Sequence, residues 1–150
     1  MNPSITKAEG YLELGLYQEA FDELENLEGD DRISKETWAL RCMLYQATEQ
    51  WEAMRDTAKH LVSTAPHEVE YWLMAATATR KAENVDAAEQ VLRFALKFLP
   101  ADPMIHYYIA CYACQLGRLD EARDRLKVAF DSRGDLKFTA LEEPDLREVW

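Results

Sequence analysis

Gly117-Arg118-Leu119-Asp120-Glu121-Ala122, late in the chain, has a twin near the start, Gly15-Leu16-Tyr17-Gln18-Glu19-Ala20. The two glycines stand 102 residues apart, as do the two alanines, and 102 is three times 34. Trp38 and Trp72 fall on the same ruler, 34 apart, and so do Pro66 and Pro100. A fixed period in this range marks stacked repeats, each burying its apolar face only against its neighbours. Cutting the chain into 34-residue rows from Met1, Lys35, Val69 and Pro103 brings more positions into phase. Position 8 reads Ala8, Cys42, Ala76, Ala110, and position 20 reads Ala20, Met54, Ala88, Ala122. Position 24 reads Leu24, Ala58, Leu92, Leu126, and position 27 reads Leu27, Leu61, Ala95, Ala129. Small residues at fixed places let two helices approach closely, and larger apolar residues fill the neighbouring space.

Each row divides into two helical stretches. Tyr17, Ala20, Phe21, Leu24 and Leu27 are spaced three and four apart, the signature of one buried helical face. Asn2-Pro3-Ser4 reads as a helix start running to about Leu14, and Gly15 breaks it. Further helices are expected at about 17–28, 35–49, 51–64, 68–82, 86–98, 103–116 and 119–132. Gly29-Asp30-Asp31 reads as the first clear loop. Ser34 and Asp102 are placed to cap the helices that follow them, with Pro103 at a first helical position. Arg133-Gly134 reads as a C-terminal cap. Beyond it the ruler breaks. Phe138, Leu141, Leu146, Val149 and Trp150 are too many large apolar groups for a free tail. They predict a short helical turn at 136–141 and a second after Pro144, covering the open face of the last repeat.

The pattern resembles the tetratricopeptide repeat: an early aromatic, a small residue four later, an aromatic three further, a turn, an alanine and a closing proline. Row two carries it in Trp38, Cys42, Tyr45 and Pro66, and row three in Trp72, Ala76, Ala88, Ala95 and Pro100. Row four has Ala110, Gly117, Ala122 and Ala129, and row one has Ala8, Tyr11, Gly15 and Ala20. Position 8 is Ala or Cys where the family uses Gly, His106 stands in the Trp place, and rows one and four lack the closing proline. The resemblance covers residues 4–134. It implies an all-α, right-handed superhelix of four helix-turn-helix repeats at about 1–34, 35–68, 69–102 and 103–134, with a capping helix at 135–150, in a single domain.

Composition narrows the function. At 150 residues, 48% apolar and 30% charged, the chain is expected to be soluble and globular, with no apolar run long enough for a membrane span. Met1-Asn2-Pro3-Ser4 lacks a basic and apolar leader, and three cysteines form no disulfide framework, so a cytoplasmic location is expected. The net charge of −11 is uneven: residues 1–31 carry nine acids against Lys7, residues 142–150 carry four acids against Arg147, and the middle sums to zero. Acidic ends keep a solenoid soluble, or they form a docking face for a basic partner. No basic stripe exists to neutralise phosphates, so no nucleic-acid role is expected.

Catalytic signals are missing. Cys111-Tyr112-Ala113-Cys114 is a C-x-x-C, but it lies inside a helix without a preceding strand, and no second pair completes a metal site. Small groups lining a groove, or a thiol-regulated sensor, are the two readings of it. His60, His67 and His106 sit in no motif, and no nucleophile elbow, zinc helix or phosphate loop is present. No enzyme activity, metal or cofactor is expected.

The family's geometry implies that row positions 2, 5, 6, 9, 12 and 13 of each first helix face the concave surface. The partner-binding groove would then comprise Glu36, Leu40 and Met43 from row two, and Glu70, Leu73, Met74, Thr77 and Arg80 from row three. Row four would add Met104, Tyr107, Tyr108, Cys111 and Cys114. Such a face is more apolar than water requires, which marks a binding site or a covered surface. Family members that bind heat-shock chaperone tails clamp a carboxylate with Lys, Asn and Arg; the matching places here, Ile5, Glu9, Leu40, Glu70 and Met74, cannot. The expected function is a non-enzymatic module holding a peptide or helix of a protein partner. A small acidic secretion-type chaperone and a self-associating structural subunit, as a homo-oligomer, are the alternatives.

Overall fold

The computed structural model describes residues 2–150. Asn2 opens the first helix: its side-chain oxygen accepts from the Ser4 N–H at 2.8 Å, and Pro3 takes the first helical position. The order is α1 (Pro3–Glu13), α2 (Tyr17–Glu25), a 3-10 helix (Gly29–Ile33), α3 (Lys35–Ala47) and α4 (Trp51–Thr64). There follow α5 (Val69–Ala82), α6 (Val85–Ala95), α7 (Pro103–Gln115), α8 (Leu119–Ser132), α9 (Leu136–Glu142) and a closing 3-10 helix (Pro144–Val149). No strand occurs among the described residues.

Successive helices pair as α1/α2, α3/α4, α5/α6 and α7/α8, and the second helix of each pair receives the first of the next. The first helices also touch along the stack, α1 to α3, α3 to α5 and α5 to α7, so they form one layer and the second helices another. All sixteen residues at row positions 8, 20, 24 and 27 are buried, none more than 3% exposed. The repeated size classes are therefore the helix contacts themselves. Polar anchors repeat as well. The Trp72 Nε1–H donates to the Pro66 carbonyl at 2.7 Å, and 34 residues on His106 Nε2 meets the Pro100 carbonyl at 2.8 Å. Arg125 donates to His106 Nδ1 at 3.0 Å, which makes Nδ1 the acceptor and Nε2 the protonated nitrogen. His106 thus replaces Trp without losing the bond. Trp38 is the exception, a buried indole N–H with no partner among the described residues, and its row follows row one, which lacks the closing proline.

The turn between paired helices uses one device three times. Leu16, Gln50 and Arg118 each donate to the carbonyl five residues back, all at 2.8 Å, across a residue with positive φ. That residue is Gly15 (φ 74), Gly117 (φ 80) and, in row two, Glu49 (φ 57). A side chain in this region pays steric strain that glycine does not. In row three the equivalent Glu83 has φ −124, donates instead to the Thr79 carbonyl, and Asn84 caps α6 by accepting from Ala87 N–H at 2.8 Å. Glu49→Gly is therefore expected to stabilise by about 0.5–1 kcal/mol, and Glu83→Gly to destabilise by about as much. Thermal melts of the two variants check this; shifts of the same sign would contradict the turn assignment.

The structure departs from the sequence expectation in three places. α2 ends at Glu25 rather than Glu28, and Gly29-Asp30-Asp31 is a 3-10 turn, not a plain loop. It is tied to α3, because the Asp31 carbonyl accepts from the buried Thr37 hydroxyl at 2.6 Å. α6 ends at Ala95, since Lys97 and Phe98 donate three residues back and tighten the last turn. In the tail, Leu136, Ala140, Leu146 and Val149 make the cover, while Phe138 (76%), Leu141 (64%) and Trp150 (60%) face outward. A short helix has one inward stripe, and these three lie off it.

Candidate functional site: the concave face

The layer of α1, α3, α5 and α7 carries three adjoining hollows, each sharing lining residues with the next. Glu36, Leu40, Met43, Glu70 and Met74 line the first, of about 350 Å³. Its other wall is α1, which supplies Glu9, Leu12 and Glu13. The expected groove, drawn from rows two to four, leaves them out, although they occupy the same inward positions 9, 12 and 13 in row one. Four carboxylates rim an apolar floor there, and among the described residues no Lys or Arg lines it. The middle hollow, of about 240 Å³, is bounded by Gln46, Glu70, Leu73, Met74, Thr77 and Tyr108.

The third hollow, of about 360 Å³, brings together Thr77, Arg80, Met104, Tyr107, Tyr108 and Cys111, with Lys81 beside them. Glu143 and Asp145 of the tail complete its wall. Asp145 Oδ2 lies 3.4 Å from Arg80 Nη1. The face therefore changes character along its length, from four carboxylates at the α1 end to Arg80 and Lys81 set against Glu143 and Asp145 beside α7, with Leu73 and Met74 between.

Four of the residues assigned to an open groove are not open. Leu40 is 3% exposed and packs with Ile5, Ala8 and Leu44, because α1 closes over it. Tyr107, Cys111 and Cys114 are 4%, 7% and 5% exposed. All three share one cluster with Leu136, Leu146 and Val149, so the tail lies on the α7 face that the sequence left bare. Cys114 lines none of the three hollows. The cysteines are unpaired and buried. Burial, reinforced by Glu143 and Asp145, holds the Cys111 thiol far above its ordinary range, and burial also raises Cys114. Burial pushes Cys42 up to about 12. Burial of this kind keeps a thiol protonated and poorly nucleophilic, which weighs against the thiol-sensor reading.

No protein-family model matches the chain, and no curated protein matches it. Solved structures do. MamA (AMB-1) superposes with a TM-score of 0.65 at 18% identity, covering 97% of this chain and 84% of that chain. MamA (MSR-1) gives 0.63 at 18% identity, covering 97% and 88%. At this identity the likeness speaks to the fold. The chain is an all-α, right-handed superhelix of the tetratricopeptide type, four helix pairs and a C-terminal cap.

Proposed function

We propose that the chain is a non-enzymatic protein-binding module that holds one segment of a partner protein along its concave face. The observation that carries this is the graded lining: an acid-rimmed hollow at one end, Leu73 and Met74 in the middle, and at the other Arg80 and Lys81 countered by Glu143 and Asp145 of the tail. A solvated helix face has no need of exposed Met43 or half-buried Leu73 and Met74 beside unpaired carboxylates. A segment with Lys or Arg at one end and apolar anchors beyond it would satisfy both features. Met side chains let such a floor adapt to its anchors.

Leu73, unlike Tyr107, is accessible, and it is the anchor contact to test. Leu73→Ala is expected to weaken partner binding about thirtyfold, the equivalent of about 2 kcal/mol at about 1.4 kcal/mol per tenfold. Glu36→Lys and Glu70→Lys should act mainly through a salt-dependent association rate. The partner is first captured from a lysate and identified by mass spectrometry, then purified and titrated against these variants. A charge reversal at Glu19 and Glu23, on α2, is the comparison. Binding abolished by the α2 reversal alone would place the docking site on the acidic end and refute the concave-face reading.

A further inference from the structure

The closing 3-10 helix does not sit as a fifth repeat would. Within the array α5 rests mainly on α4, the outer helix before it, and only lightly on α3. The closing helix reverses that preference and packs more on α7 than on α8. It has slid from the capping position toward the concave face. Leu146 and Val149 there join a cluster with Tyr107, Cys111 and Cys114. Asp145 reaches Arg80 on α5, and Arg123 Nε donates to the Val149 carbonyl at 3.1 Å. Leu146 and Val149 are buried in that seat, but its polar part is light. The Arg80–Asp145 pair is 36% and 27% exposed, the helix is a few residues of 3-10 geometry, and Trp150 beyond it is mostly in solvent. The fit is also incomplete: the hollow under Glu143 and Asp145 persists, and the Tyr107 hydroxyl, in a side chain lining it, is buried without a partner.

We propose that the α7 face with Arg80 is a docking surface for an acidic–apolar segment of a partner protein, which residues 143–150 occupy in cis until it displaces them. The tail itself states the chemistry that fits: an acid to meet Arg80, a leucine next to it, and a valine three further on, as in Asp145-Leu146-Arg147-Glu148-Val149. This deepens the concave-face reading and rests on it. One partner segment would run from its cations at Glu36 and Glu70 to its acid at Arg80. A tethered tail competes at an effective concentration in the millimolar range, so partner binding is weakened by the fraction of time the tail is seated.

The probe is a fluorescent synthetic peptide of residues 143–150, titrated into the full-length chain and followed by polarisation. Wild-type chain should bind it weakly. Asp145→Arg in the chain removes the cis pair at a part-exposed position, and should bind the probe about tenfold more tightly or better. Adding Arg80→Asp restores a pair of opposite sign in cis, and should abolish probe binding. A probe carrying Leu146→Asp should fail against every chain. Unchanged melts for the single and double charge variants show that the fold is kept. Equal binding by wild type and Asp145→Arg, binding to no variant, or equal binding of the Leu146→Asp probe would each overturn the proposal. The captured partner separates the two readings. Sensitivity to Leu73→Ala without a gain in Asp145→Arg retains the groove and refutes the displaceable tail. Probe binding that follows the charge swaps, with a partner indifferent to Leu73→Ala, refutes the groove and retains the α7 surface.

Discussion

Ala88→Trp is expected to cost about 3 kcal/mol or more, the top of the range for overpacking a close helix contact. Ala88 is fully buried and shares a cluster with Trp72, Ala76, Leu92, Ile105 and Tyr112, where α5, α6 and α7 converge. An indole added there has nowhere to go without parting helices whose approach depends on small residues at three row positions. For a chain of this length about 1 kcal/mol moves the melting temperature by about 2–4 °C, so a fall of about 6–12 °C is expected. The loss should be local in origin. A repeat array is stabilised by each unit and by its contacts with the next, so α5–α8 should loosen before α1–α4. Thermal melts read by circular dichroism together with hydrogen exchange check both statements. Ala87→Trp, one residue away and half-buried, is the control and should cost far less. Equal effects at 87 and 88 would mean that position 20 of the row is not the contact.

Much of this could be read in the sequence because a solenoid writes its core as a period. Each of the four phased positions reports a contact made once per 34 residues, and a Cys or Met in place of Ala does not hide it. Helix ends were legible where a specific cap acts, as at Ser34, which accepts from the Thr37 N–H at 3.3 Å, and Asp102, which accepts from the Met104 N–H at 2.9 Å. They were less so where no side chain marks the end, as at Glu25 and Ala95. The concave face was legible as a face, because inward row positions repeat. Its covering was not. Where the tail lies depends on Leu146 and Val149 finding Tyr107 and Cys111, and on Asp145 finding Arg80 across 65 residues. No local pattern or period encodes that. Apolar content showed that the tail must cover something, and only the folded chain shows that it leans inward.

The convex side holds the second large effect. Glu89, in the middle of α6, is 2% exposed, and its Oε1 accepts from Arg118 Nη2 at 2.6 Å and pairs with Arg93 Nε at 3.4 Å. Its other oxygen is buried without a partner. Glu121 on α8 receives Arg93 at 2.7 Å and Arg118 at 3.0 Å, so two arginines bridge α6 to α8 across the Gly117 turn. Breaking a buried pair from one side leaves a charge without compensation. Arg118→Met is therefore expected to cost about 3 kcal/mol, the low edge of the usual range because Arg118 is itself 41% exposed and Arg93 remains. Removing both charges, as Glu89→Met with Arg118→Met, should cost less than the single change, since apolar groups of similar volume leave nothing stranded. The network also sets a pH dependence. Arg93 first, then Arg118 and Arg125, hold the Glu121 carboxyl below its ordinary value of 4.5. A carboxylate held low in the folded chain stabilises it above the unfolded value and loses that contribution as pH falls through the lower folded one. The stability lost in Arg118→Met should thus be largest at neutral pH and shrink below about pH 4.5. Denaturant unfolding at pH 7 and pH 4 of wild type, Arg118→Met, Glu89→Met and the double variant reads all three expectations. A double variant as unstable as the sum of its singles would show that Glu89 and Arg118 are not coupled.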